Sequence, residues 1–323
     1  MKIEKYERAL DMMQCPFCAR RADGGQPLYI VGSGLRCLRG HTFDIARKGY
    51  VNFIPNQKPL KGYDAGFFAS RREFLAWGYY EHVRKAVVDE LARIAPQIGS
   101  RGSQAPLDEP GSARGESMAI AEPQESQGPG EARGPQTARE PRGMRILDAG
   151  CGEGYYVRGV AEAFPDATVI GADIAKDAVA LAAQGGDPRL WAVCDVANLP
   201  IADGALDCVL NIFTPANYTE FRRVLRPGGV VIKAIPGPGH LRELRDRLGD
   251  DGHSENDVVD IFDSHLDRVA CIRATRTLDV PDAHMRTLLG MTPLTFSRDP
   301  AEMVGISVPR ITIDAELLVG VFR

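Results

Sequence analysis

Two groups of residues in this chain have types and spacings suited to chemistry. The first is Cys15-Pro-Phe-Cys18 followed, after eighteen residues, by Cys37-Leu-Arg-Gly-His41. Each pair can present two ligands from one tight turn, and three thiolates with one imidazole complete a tetrahedron around zinc. A redox C-x-x-C, or unconnected buried thiols, would account for one pair and leave the second a coincidence. Four protein ligands leave no coordination position open, so the metal is expected to be structural. The second group is Asp148-Ala-Gly150-Cys-Gly152-Glu153-Gly154-Tyr155-Tyr156. Its glycines suit a tight turn of positive φ and a close backbone approach to a ligand. A dinucleotide fingerprint runs G-x-G-x-x-G with pyrophosphate on the helix N-terminus. Here the third glycine comes one residue early and Asp148 precedes the first, and a carboxylate there repels pyrophosphate but suits a cationic ammonium.

The elements that must position this second group follow an α/β pattern. Ile146 and Leu147 read as the end of a buried strand and Tyr155 as the start of a helix. A second strand, Ala167–Asp173, ends in an acid suited to ribose hydroxyls, and a helix follows through Ala178–Ala183. The third strand, Trp191–Asp195, ends in another acid, which could instead only cap a turn. A fourth strand, Leu206–Asn211, ends where open α/β sheets place their chemistry. The helix Tyr218–Leu225, the turn Arg226-Pro-Gly-Gly229 and a fifth strand, Val230–Ile235, come next, and Arg310–Phe322 suits a closing hairpin.

With Asp148, Asp173, Asp195 and the Pro-Gly-Gly turn in order, residues 144–323 resemble S-adenosylmethionine (SAM)-dependent methyltransferases of the Rossmann-like class I fold. The resemblance puts SAM on the glycine loop, its ribose on Asp173 and its adenine amino group by Asp195.

The front half divides differently. Residues 1–58 read as a zinc-binding module, with a short strand at Leu28–Val31 between glycine turns. The run Phe43 to Pro55 interleaves Arg47 and Lys48 with Phe43, Tyr50 and Phe53. Such a mixture can hold phosphates and stack on unpaired bases, or the aromatics can be the module's own small core. Residues 59–98 read as a helical linker, capped by Ser70, running through Ile94, ending before Pro96, with Gly78-Tyr79-Tyr80 a place for a break or bend. Residues 99–143 hold eight Gly, six Pro and no aromatic residue, and read as a disordered insertion.

At 323 residues the chain is long enough for two domains. Its seven cysteines argue for thiols or metal ligation over a disulfide framework. No N-terminal apolar run and no stretch of eighteen uncharged apolar residues is present, so a soluble, cytoplasmic protein without membrane contact is expected. The net charge of −4 divides into +6 over residues 1–80 and −10 beyond, which is either a basic front end for a polyanion or an ordinary solvated surface.

Taken together, the zinc quartet, Gly49–Pro55, Arg71-Arg72 to Tyr80, Gly150–Tyr156, Ile235-Pro-Gly-Pro-Gly-His240 and Leu288-Leu-Gly-Met-Thr-Pro293 resemble the bacterial 23S rRNA guanine-N1 methyltransferases of the RlmA type. The resemblance covers residues 15–323 apart from the insertion, and Asn211-Ile-Phe-Thr-Pro215 resembles the tylosin-resistance-like Gram-positive branch. It implies SAM and Zn²⁺ as cofactors, an rRNA hairpin loop as partner and a homodimer. It also implies cofactor contacts at Tyr80, Asp148, Gly150, Gly152, Glu153, Gly154, Tyr155, Tyr156, Asp173, Asp195 and His240. The ligand pairs stand further apart than the family pattern, which implies a longer hairpin, and the module is expected to be separable from the SAM pocket. Asn211 and the Pro236–His240 loop stand where a guanine could be held, and no general base is identified. The competing readings are a small-molecule methyltransferase and a non-catalytic zinc-dependent RNA-binding protein.

Overall fold

The computed structural model describes residues 3–21, 24–54, 60–101, 143–250 and 256–323. Most of the expected insertion, and Pro55, lie outside them. The front of the chain carries two single-turn helices, α1 (Glu4–Glu7) and α2 (Pro16–Ala19). Strands β1 (Leu28–Val31), β2 (Gly34–Cys37) and β3 (Thr42–Asp44) form a small antiparallel sheet, and β4 (Val51–Asn52) follows. Two helices come next, α3 (Ala65–Ala76) and α4 (Glu81–Arg101). The remainder runs β5 (Arg145–Ala149), α5 (Tyr155–Ala163), β6 (Thr168–Asp173), α6 (Lys176–Ala182), β7 (Leu190–Val193), β8 (Leu206–Ile212), α7 (Tyr218–Val224) and β9 (Leu225–Pro236). It closes with α8 (Arg242–Leu248), α9 (Asn256–His265), β10 (Leu266–Asp279), α10 (Asp282–Met291) and β11 (Arg310–Phe322).

The main sheet has eight strands in the order β10-β11-β9-β8-β5-β6-β7-β4, parallel from β9 through β4 and antiparallel at the β9-β11-β10 end. Strand β5 sits where the order reverses, with β6 on one side and β8 on the other. A ligand site is therefore expected at its C-terminal end, where the glycine loop begins. Strands β5 and β8 are buried almost throughout, as near-continuous apolar runs in a doubly covered sheet must be.

The front module is packed into the main sheet. Val51 and Asn52 pair in parallel with Ala192 and Val193, making β4 the edge of the main sheet. The Tyr6 hydroxyl lies 2.9 Å from the Trp191 carbonyl, and the Lys5 ammonium donates to the carbonyls of Asp187 and Arg189. Cys15, Cys18 and Cys37 share one apolar core with Leu147, Ala149 and Ile170. This shared edge is not visible in the sequence because a two-residue strand carries no periodicity that could reveal it.

Residues 65–76 and 81–101 fold as two helices built into a second apolar core, with Phe74, Leu75, Val83, Val87 and Leu91 packed among residues such as Ile146 and Val157. Asp64, not Ser70, caps the first, accepting from the Phe67 amide at 2.9 Å; Ser70 lies inside it. Gly78, at φ +86°, makes the break before Tyr79 and Tyr80. Pro96 lies within α4 and does not end it. It removes one intrahelical donor, but the carbonyl this frees belongs to Ala92 on an exposed turn, where water can replace the bond.

Candidate active site

The zinc quartet is assembled. The Nδ1 of His41 stands 3.4 Å from the sulfur of each of Cys15, Cys18 and Cys37, Cys18 and Cys37 are 3.9 Å apart, and all four ligand atoms fall within 4.8 Å of one another. A tetrahedron with Zn–S of about 2.3 Å and Zn–N of about 2.0 Å has edges of roughly 3.5 and 3.8 Å, so the donor set fits zinc with no position left open. Phe17 packs on the His41 ring at 5.3 Å and Phe43 on Phe17 at 5.7 Å. Phe43, Tyr50 and Phe53 are buried, so the interleaved aromatics are core and not a stacking surface. The exposed rings of the module are Phe17 and Tyr29, with Arg20, Arg21, Arg36 and Lys48 also at its surface.

At the other site a cavity of about 930 Å³ opens at the C-terminal ends of β5, β6, β8 and β9. Helix α3 closes it with Phe67, Phe68 and Arg71, and the end of α10 and the segment after it with Met291 to Leu294. Gly150, Gly152 and Gly154 have φ of +88°, +55° and +84°, a region in which L side chains are strained. A Cβ on Gly150 would strike Thr214 at 2.5 Å and one on Gly154 would strike Trp191 at 2.4 Å. Those two glycines are needed for packing, whereas beside Gly152 only the Arg71 Nε, at 3.7 Å, comes within 4 Å.

Of the expected cofactor residues, Tyr80, Gly150, Gly152, Asp173 and His240 stand on the cavity wall. Asp148, Glu153, Gly154 and Tyr156 are buried behind the loop. Tyr155 is half-buried with its hydroxyl 3.2 Å from Glu81, and Asp195 is half-buried off the wall, where its carboxylate accepts from the Ala197 amide at 2.9 Å.

Buried polar atoms here lack partners. Both Asp148 carboxylate oxygens, the second Glu153 oxygen and the Tyr156 hydroxyl have none among the described residues. Orphaned groups of this kind are rare in a folded interior and fit a site whose ligand brings the missing donors. Burial, with Asp173 and Glu153 adding like charge, pushes the Asp148 carboxyl up to about 8. The Asp173 carboxyl is also raised by burial, although it accepts from the amides of Gly152 at 2.8 Å and Ala175 at 2.7 Å. Asp173, on the cavity wall, suits ribose hydroxyls, and the buried acids behind the loop make that end of the cavity favourable to a cation, so the acceptor set fits SAM.

Phe213 and His240 stand on the far wall, held by the buried residues Asn211 and Asp314 behind them. Asn211 is fully buried and fully engaged: its amide donates to the carbonyls of Ala149 and Pro215 at 3.1 Å and its oxygen accepts from Lys233 at 2.7 Å. It fixes the turn after β8 and has no group left for a base. That turn holds Phe213 at φ +54°, a strained value for an aromatic residue, with its ring stacked on His240 at 5.6 Å. The His240 Nδ1 accepts from the Asp314 amide at 3.3 Å, so the neutral ring carries its proton on Nε2, 3.3 Å from the Tyr80 hydroxyl. Burial lowers His240 to about 4 and keeps it neutral. Asp314 is held well below the carboxylate range by Arg273, and it also takes the Gly239 amide at 2.9 Å. Its only sequence signal is an acid inside an apolar strand.

A doubly wound sheet with this loop and carboxylate set defines a class I SAM-dependent methyltransferase, here carrying a structural zinc ribbon. Residues 146–229 match a model described as "Methyltransferase domain", and residues 13–59 one described as "RlmA, N-terminal". The chain is 31% identical to the 23S rRNA (guanine(748)-N(1))-methyltransferase of Streptomyces fradiae over 90% of this chain and 88% of that one. It is 32% identical, over 97% and 98%, to a protein of Micromonospora griseorubida provisionally described as a 23S rRNA (guanine-N(1)-)-methyltransferase. A malonyl-[acyl-carrier protein] O-methyltransferase of Laribacter hongkongensis is 36% identical over only 42% of this chain. The chain belongs to the RlmA-type 23S rRNA (guanine-N1-)-methyltransferase family.

Proposed function

We propose that this enzyme transfers a methyl group from SAM to N1 of a guanine in a hairpin loop of 23S rRNA. The observation that carries the reading is the near full-length similarity to the Streptomyces fradiae enzyme, which spans ribbon and methyltransferase together, where the carrier-protein enzymes match only part of the chain. The exposed arginines and rings of the ribbon support a polyanionic partner.

When bound, SAM supplies an activated methyl on a sulfonium, so no covalent protein nucleophile is required. The chain must hold the two reactants in line and exclude water. N1 lies on the Watson–Crick edge, so the base has to be unpaired or flipped outward to enter. Phe213, rigidly held beside His240 and Tyr80, offers a face on which an inserted base can stack. His240 is a neutral donor at Nε2, which removes it as a general base. The family's homodimer, cytoplasmic action on ribosomes and a link to tylosin-type macrolide resistance belong to the same proposal. Sedimentation at several concentrations tests the first and a susceptibility assay with and without the gene the last. Among the described residues no helix is long and apolar enough to cross a membrane.

Incubation with labelled SAM, 23S rRNA and a metabolite extract tests the reading. Label in RNA, mapped to one guanine N1, supports it; label in small molecules alone, or none, contradicts it.

A further inference from the structure

The carboxylates behind the loop answer the cationic part of SAM and leave its methionine carboxylate without a counterpart. Only two arginines, and no lysine, stand on the cavity wall among the described residues. Arg245 is placed on α8 and already donates to the Pro238 carbonyl at 2.7 Å. Arg71 reaches in from α3 against the glycine loop, its Nε lying 3.7 Å from where a Cβ on Gly152 would be. That Nε donates to Glu153 at 3.0 Å. The two terminal nitrogens have no partner among the described residues, and a fifth of the side chain is exposed against 2% of Glu153. One edge of the guanidinium is thus braced while its end-on pair of donors is left open, the geometry that receives a carboxylate through two parallel bonds.

We propose that Arg71 receives the methionine carboxylate of SAM through its two terminal guanidinium nitrogens, and that Glu153 is a positioning residue that holds Nε and so aims them. This rests on the cofactor reading of the cavity. It also gives the buried Glu153 a purpose, since a carboxylate 1% exposed beside Asp148 and Asp173 would otherwise raise the negative charge of the site for no return. Arg71 then neutralises Glu153 with one edge and the ligand with the other.

Calorimetry on the metal-replete full chain separates the two levels of the argument. The probes are S-adenosylhomocysteine and its decarboxylated analogue S-adenosyl-3-thiopropylamine, which differ only in the carboxylate. The wild type is expected to bind the first about 10- to 100-fold more tightly, the range of a charge-assisted pair. Arg71→Gln should abolish that preference and leave the analogue within about twofold, Arg71→Lys should keep part of it, and Glu153→Gln should weaken it several-fold. No binding of either probe to the wild type would remove the cofactor reading itself. Binding of both probes with equal affinity by the wild type, or equal weakening of both by Arg71→Lys, would overturn the assignment even if Arg71→Gln fails to fold. Loss of affinity for an rRNA hairpin with the preference intact would place Arg71 on a phosphate instead and overturn it too.

Discussion

The cysteine–histidine quartet and the carboxylate set behind the glycine loop are both compact groups of ionisable side chains, and they differ in whether they are complete. The quartet brings its own four ligands together: His41 Nδ1 stands 3.4 Å from each of three sulfurs, and four protein ligands leave no place for a fifth. The carboxylates are not complete, since Asp148 keeps two orphaned oxygens and Glu153 one, behind the glycine loop that walls a cavity large enough for a nucleoside and a base. A closed polar cluster stabilises, and an open one costs stability until a ligand completes it.

The largest expected effect lies in the closed cluster. Cys15→Ser with Cys18→Ser should abolish zinc binding and, because the ribbon shares a core with β5 and β6, lower the melting temperature of the whole chain by more than about 10 °C. It should weaken SAM binding as well. A variant of unchanged melting temperature would show the ribbon to be an appendage after all.

The open cluster should respond with opposite signs to one substitution. Asp148→Asn removes a buried charge, so the ligand-free protein should gain stability while SAM affinity falls about tenfold or more. The sign follows from the raised carboxyl, which favours the fold while protonated and loses that contribution as pH climbs from its unfolded value of about 4 to about 8. The gain from Asp148→Asn should therefore be small at pH 5 and largest near pH 8.5 in thermal melts. A gain independent of pH would contradict the burial argument.

A smaller effect belongs to His240. Its lowered value means that acid charges the unfolded chain first, so this group removes stability as pH falls from about 6.5 to about 4. His240→Gln should flatten that part of the melting curve, while the wild-type transfer rate should show no inflection between pH 6 and 7.5 arising from this ring. Smallest of all, Phe213→Ala keeps a Cβ and with it the backbone strain at φ +54°, and should raise the KM for RNA several-fold with little change for SAM. Equal changes for both substrates would remove Phe213 from the base side of the cavity.

The two clusters also differ in how much of them could be read from the sequence. Cys15 to His41 and Asp148 to Tyr156 are local: each packs its chemistry into one or two turns, so residue type and spacing suffice. The strands and helices from Arg145 to Ile235 were legible for the same reason, through period and punctuation. What completes the cavity is tertiary. Arg71 meets Glu153 across 82 residues and Asp314 meets Gly239 across 75. No spacing rule spans such distances. Asn211 could not be assigned because a polar residue at a strand end has the same appearance whether it faces a ligand or ties its neighbours together; here it bonds Ala149, Pro215 and Lys233. The edge pairing of β4 and the path of α4 past Pro96 were set by neighbours far along the chain, not by local propensity.

The central claim is that SAM completes the open cluster and not the closed one. Calorimetric titration of SAM into metal-replete wild-type protein tests it most directly. One site per chain, weakened about tenfold or more by Asp148→Asn with the zinc content unchanged, is the predicted result; a titration of the well-folded wild type without heat of binding would contradict it.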